Sequence, residues 1–202
     1  TGGTAIITYG QAIMGVADTM LHKQRSAVAA QTAPGAGLHG QNLDVALMLL
    51  DGSHKGKADP AFEAHGAPIG QWAMAVWYSL APLQDMHDVI ADSNSRLSKA
   101  VRPWSAVRGN GAALVATAAR LSWEVHDAVR IKTDLGRLLS LIHDPPIVVL
   151  REVHAAVWRW RWKRIEAAYP DLVIDPSLTG HGAAMRAIWR ILANKGPRPP
   201  GW

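Results

Sequence analysis

The sequence predicts a mainly α fold, a helical bundle carrying one β-hairpin at about residues 125–142. Two patterns point to helices. Ile69, Trp72, Ala73, Val76, Trp77 and Leu80 recur at three- and four-residue intervals, the spacing of a buried helical stripe. Val148 to Ala168 runs without a Gly or Pro, which favours one long helix. A third pattern points to strands, because Val125, Asp127, Val129 and Ile131 alternate with His126, Ala128, Arg130 and Lys132.

Taken in order, the first helix with a readable start follows Asp18, whose carboxylate accepts free backbone N–H groups, and ends at Pro34-Gly35-Ala36-Gly37. A short helix over Leu43 to Leu50 precedes a polar loop, Asp51 to Lys57. Pro68 suits a first helical position, and Pro82 starts another helix that runs to about Val101. Arg102-Pro103-Trp104 breaks the pattern, since the residue before proline is pushed out of the helical region. Asn110 is placed to cap a helix through Leu121, and Thr133-Asp134-Leu135-Gly136 supplies the hairpin turn. Pro146 then opens the longest helix, which stops at Tyr169-Pro170. A final helix over Gly182 to Ala193 and an extended Pro-rich tail are expected beyond it.

Composition narrows the classes. The chain is 49% hydrophobic and 18% charged, too apolar for a disordered protein, and its 202 residues suffice for one domain or two small lobes. A net charge of +5 favours nucleic acid or another anionic partner, although ordinary solubility calls for a net charge of similar magnitude. The absence of cysteine excludes disulfides, zinc ribbons and thiol nucleophiles. No apolar run approaches the roughly 20 residues of a bilayer span, so no membrane span is expected. The sequence identifies no compartment, an intracellular one being favoured. The start on Thr1 reads as a piece of a longer product.

Several motifs fail on context. Gly35-Ala36-Gly37-Leu38-His39-Gly40 matches the dinucleotide pattern, but a helix precedes it where a strand is required. His39, Asp51, His54, Asp59, Glu63 and His65 crowd one region without a ligand pair at helical spacing, so no metal or other cofactor is expected. Asp85, Asp88 and Asp92 lie on one helical face and read as a solvated surface. No serine sits in a nucleophile elbow. An enzymatic reading would require distant acids such as Asp134, Asp144 and Asp171 to converge.

The most informative segment is Arg151 to Arg164, centred on Trp158-Arg159-Trp160-Arg161-Trp162-Lys163-Arg164. Arginine forks clamp phosphates while an exposed Trp stacks on bases, a combination suited to nucleic acid. The candidate binding residues are therefore Arg151, Trp158, Arg159, Arg161, Trp162, Lys163 and Arg164, with Lys23 and Arg25 extending the basic face. The competing reading makes the Trp residues core anchors covered by arginine stems.

The order of these elements resembles a known family. Thr8-Tyr9-Gly10, Asp18-Thr19-Met20-Leu21 with Arg25, and Asp59-Pro60-Ala61-Phe62 with His65, Pro68-Ile69, Trp72 and Val76-Trp77 are similar to sequence downstream of the palm in LINE-like reverse transcriptases of protist genomes. Arg102-Pro103-Trp104, Gly109 and Gly111, Thr133-Asp134 with Gly136, Asp144-Pro145-Pro146 and Arg159-Trp160-Arg161-Trp162 follow in the same order. The resemblance implies a helical thumb-like region over residues 1–103. Beyond it, residues 104–202 would form a connecting region with a helix, the hairpin, the basic Trp/Arg helix and the tail. It implies a retrotransposon-derived, RNA- or DNA-binding fragment that grips template. The family's Tyr-x-Asp-Asp motif is absent, so the fragment is not expected to polymerise on its own. The alternative is a helical structural or protein-interaction subunit of a larger assembly, since Trp and Arg are also enriched at interface hot spots.

Overall fold

The computed structural model describes residues 10–32, 43–54 and 58–168. The fold is mainly helical, with one small antiparallel sheet. In chain order the elements are α1 (Gln11–Met14), α2 (Asp18–Thr32), α3 (Leu43–His54), α4 (Ala61–Trp77), α5 (Leu83–Lys99), a 3-10 turn (Pro103–Ala106), α6 (Gly109–Arg120), β1 (Glu124–Val125), β2 (Arg130–Lys132), β3 (Leu138–Ser140) and α7 (Pro146–Ala168). They divide into two compact units, one containing residues 10–24 and 60–159, the other residues 25–32, 43–54, 58–59 and 160–168.

In the first unit α4, α5 and α6 pack through small residues. A Cβ on Gly111 would lie 2.5 Å from Val89 Cγ1 and 3.4 Å from both Ser93 and Trp72, so glycine sets the approach of α6 to α4 and α5. Trp72 is buried, and its indole N–H donates to the Ala128 carbonyl at 2.8 Å, which satisfies the one polar atom that burial would otherwise strand. A cluster of Leu97, Val107, Ala112, Ala113 and Ala116 packs around the N-terminal part of α6, with Trp104 packed against it.

The sheet runs in the order β1-β2-β3. Ile131 pairs with Leu139 across β2 and β3, and both side chains are fully buried. Gly136, at φ +80°, makes the turn between them, with its N–H donating to Thr133 O at 2.9 Å. The hairpin expected over 125–142 is therefore present with a refinement. Its first strand is interrupted, because Asp127 Oδ1 accepts the N–H groups of Val129 and Arg130 at 2.9 and 2.8 Å and folds the chain back. Val125 then pairs with Ile131 from a separate strand. This side-chain turn competes with a continuous ladder, as aspartate does where it can reach its own backbone.

Three expectations need correction. Helix α4 starts at Ala61, so Pro68 lies inside it rather than at its first position. An interior proline costs roughly 3 kcal/mol, which the burial of Phe62, Ala64, Ile69, Trp72 and Ala73 along the same helix offsets. Helix α3 extends to His54, so the beginning of the expected polar loop is helical. Asn110 does not cap α6, because its amide donates to Ala12 O at 2.9 Å. The tract 35–40, the loop lysines Lys55 and Lys57, the helix at 182–193 and the tail lie outside the described residues. Helices α2, α5 and α7 match their expected spans closely, α7 opening at Pro146 and reaching Ala168. No helix of the described residues is long and apolar enough to cross a membrane.

Candidate functional site

The residues singled out in the basic segment separate by environment. In the second unit Arg25, from α2, and Arg161, from α7, are fully buried. Each shares its face of the helix with a buried apolar residue one turn on, Ala29 and Ile165 respectively. Arg25 donates from Nε and Nη2 to Asp59, at 3.0 and 2.9 Å, and from Nη2 to Asp44 at 2.5 Å. Arg161 Nε lies 3.1 Å from Asp59 Oδ2. Arg164 reaches Asp44 Oδ2 at 3.0 Å, and its guanidinium lies 5.0 Å from the centroid of the half-buried Trp160, which Arg25 also faces at 5.1 Å.

This is a compensated buried cluster. Burial by itself lowers the pKa of Arg25, but the charges and hydrogen bonds of Asp59 and Asp44 outweigh it and the pKa is raised. Arg25 commits its N–H groups to internal carboxylates, and Arg161 is enclosed with its Nε beside Asp59, so neither guanidinium is open to an external phosphate. Arg164 differs, because its side chain is 46% exposed and only its Nε edge is committed to Asp44.

In the first unit Arg159 makes a bidentate pair with Asp134, Nε to Oδ2 and Nη2 to Oδ1, both at 2.7 Å. The Trp123 indole N–H donates to the same carboxylate at 2.9 Å. Asp144 accepts the Ser140 N–H at 2.9 Å and faces Arg137, which also pairs with Glu152. Asp134 and Asp144 therefore serve separate structural pairs, and Asp171 lies outside the described residues. Trp158 is half-buried, edge-on to Phe62 at 5.6 Å, and Trp162 is half-buried as well. Lys23, Arg151 and Lys163 are exposed and form no ion pair with the described residues.

Of the crowded acids and histidines, Asp59 and His65 have other partners. Asp59 belongs to Arg25, and His65 Nδ1 donates to Ala61 O at 2.6 Å. Among the described residues no cluster of His, Asp and Glu could hold a metal ion. Asp85, Asp88 and Asp92 are exposed along α5, Asp92 pairing with Arg96.

Sequence reasoning missed one surface. After α4, Ser79 adopts φ +51° and reverses the chain, leaving Tyr78 and Leu80 each 65% exposed. A groove of about 620 Å³ opens there, lined by Val76, Trp77, Leu80, Leu83, Met86 and Ile142 and by no charged side chain. Leu80 closes the stripe that begins at Ile69, and its periodicity alone reads as core. The acid partners of Arg25 and Arg164 were equally hidden, since Asp59 and Asp44 stand 34 and 120 residues away from them. No family model matches the chain, and neither a curated protein nor a solved structure matches it.

Proposed function

We propose that the chain is a non-catalytic helical module that binds nucleic acid through surface cations. The carrying observation is that Lys23, Arg151 and Lys163 remain exposed without a carboxylate partner among the described residues, in a protein of net charge +5. Arg164 supports the reading with a partly exposed guanidinium held over Trp160. Phosphate contacts fall to these four residues, while Arg25 and Arg161 hold the fold. The resemblance to LINE-like polyproteins agrees with such a role, in which the module grips template RNA or DNA and chemistry resides elsewhere.

The test is fluorescence anisotropy with labelled single-stranded and duplex RNA and DNA across a salt series. Each neutralised phosphate releases counterions, so the expected affinity falls linearly on a logarithmic salt axis. Replacing Lys23, Arg151 and Lys163 together by alanine is expected to reduce the slope by about 2 on a single strand. A wild-type protein that binds no nucleic acid at low salt would sink the proposal.

The groove favours a second reading, docking of a partner protein. Its uncharged lining suits aliphatic side chains of an amphipathic helix, and the exposed Asp85 between Leu83 and Met86 suits a basic residue at that helix's margin. Basic amphipathic peptides are expected to bind wild type and lose affinity for Leu83→Glu. Equal binding to both proteins would exclude the groove.

A further inference from the structure

From Ser93 to Trp123 the chain contains no Asp or Glu, while Arg96, Lys99, Arg102, Arg108 and Arg120 fall within it. Two of these five are neutralised by acids from outside the stretch. Arg96 pairs with Asp92 at 3.3 Å, and Arg120 pairs with Asp18 at 2.8 Å while lying over the Trp104 ring. Lys99, Arg102 and Arg108 are exposed and form no ion pair with the described residues. All three lie on one corner, the connection from the end of α5 through the 3-10 turn to the start of α6.

The corner is a built turn. Ser105 donates to Arg102 O from both its backbone N–H and its hydroxyl, at 2.9 and 2.7 Å. Arg108 Nη1 donates back to the carbonyls of Ser105 and Val107, at 3.1 and 2.9 Å. That clamp occupies one nitrogen of the guanidinium and leaves the Nε and Nη2 N–H groups uncommitted. An arginine already held in place loses less side-chain freedom when it meets a phosphate. Between Lys99 and Arg102, Val101 projects with 98% of its surface exposed, an apolar contact suited to a sugar or the edge of a base. Trp104, the aromatic of this turn, is occupied by Arg120 and packs against the α6 core, so the corner lacks a free stacking platform.

We propose that Lys99, Arg102 and Arg108 form a sequence-independent site for a nucleic-acid phosphodiester backbone. The inference rests on the nucleic-acid reading above and gives it a second, separate location. Three cations without a stacking aromatic bind charge rather than base identity, so oligomers of different sequence are bound equally.

The experiment compares the intact chain with a Lys99→Gln/Arg102→Gln/Arg108→Gln variant and with the Lys23→Ala/Arg151→Ala/Lys163→Ala variant. Anisotropy is read with labelled oligo(dT) and oligo(dA) across a salt series, and unfolding midpoints verify that each variant is folded. The expected result is about a tenfold or greater loss of affinity in the corner variant at low salt, with a slope shallower by about 2 and no preference between oligomers. An unchanged slope in the corner variant, with binding lost only in the second variant, overturns the corner and leaves the general reading standing. No binding by the intact chain overturns both. Corner-dependent binding to phosphatidylserine vesicles, without binding to either oligomer, overturns the proposal in favour of a membrane surface.

Discussion

Arg159 holds the Asp134 carboxylate by two hydrogen bonds of 2.7 Å, tying α7 to the turn of the β2–β3 hairpin. Burial would raise the Asp134 pKa, but the Arg159 pair and the Trp123 N–H outweigh it and hold the carboxyl below its ordinary value of 3.8. A carboxylate so depressed stabilises the fold fully above that value, and the contribution is lost as pH falls through the folded-state pKa. Urea unfolding between neutral pH and pH about 3 should show wild type losing stability over this window more steeply than Asp134→Asn. Asp127, whose pKa is also lowered, leaves a residual slope in the variant. Parallel profiles for the two proteins would show that the pair contributes nothing.

Asp59 compensates two enclosed arginines, so removing it strands charge. Asp59→Ala is expected to destabilise the protein by about 3–5 kcal/mol, the usual cost of breaking a buried pair. Arg161→Met, which removes the charge and keeps apolar volume, should be markedly milder, and denaturant midpoints would rank the two. Salt-dependent nucleic-acid binding should keep its slope in Arg161→Met, because that guanidinium faces Asp59. A reduced slope there would place Arg161 at the ligand.

Gly111 is a packing requirement. Gly111→Ala drives a methyl to 2.5 Å from Val89 Cγ1 and should cost about 1–3 kcal/mol by overpacking. Pairing it with Val89→Ala should recover part of that loss, giving a non-additive double-mutant cycle. Strict additivity would mean that the backbone relaxes instead.

Ser79 and Ser122 occupy left-handed conformations, at φ +51° and +61°, just beyond the ends of α4 and α6. Ser79→Gly should stabilise by up to about 1 kcal/mol, since relief of Cβ strain exceeds the added freedom of the unfolded chain. Thermal unfolding with Ser122→Gly as a parallel case reads this directly. A lower midpoint in both would mean that the strain is absent.

What the sequence by itself determined is the set of elements with dense local signals. Pro146 and the Gly- and Pro-free run to Ala168 defined α7, and Thr133 to Gly136 carried the hairpin turn, because proline sterics and left-handed turns act within a few residues. Asp18, by contrast, lies inside the start of α2 and gives its carboxylate to Arg120 instead of capping. Tertiary structure decided the rest. It extended α4 through Pro68, gave Asn110 to Ala12 rather than to a helix cap, and let Asp127 split a strand. Above all it decided which cations meet solvent. Arg161 and Lys163 are two residues apart on one helix, yet one is enclosed by Asp59 and the other is open. The deciding carboxylate is more than a hundred residues away in the chain, and no local pattern encodes a distance that only folding closes.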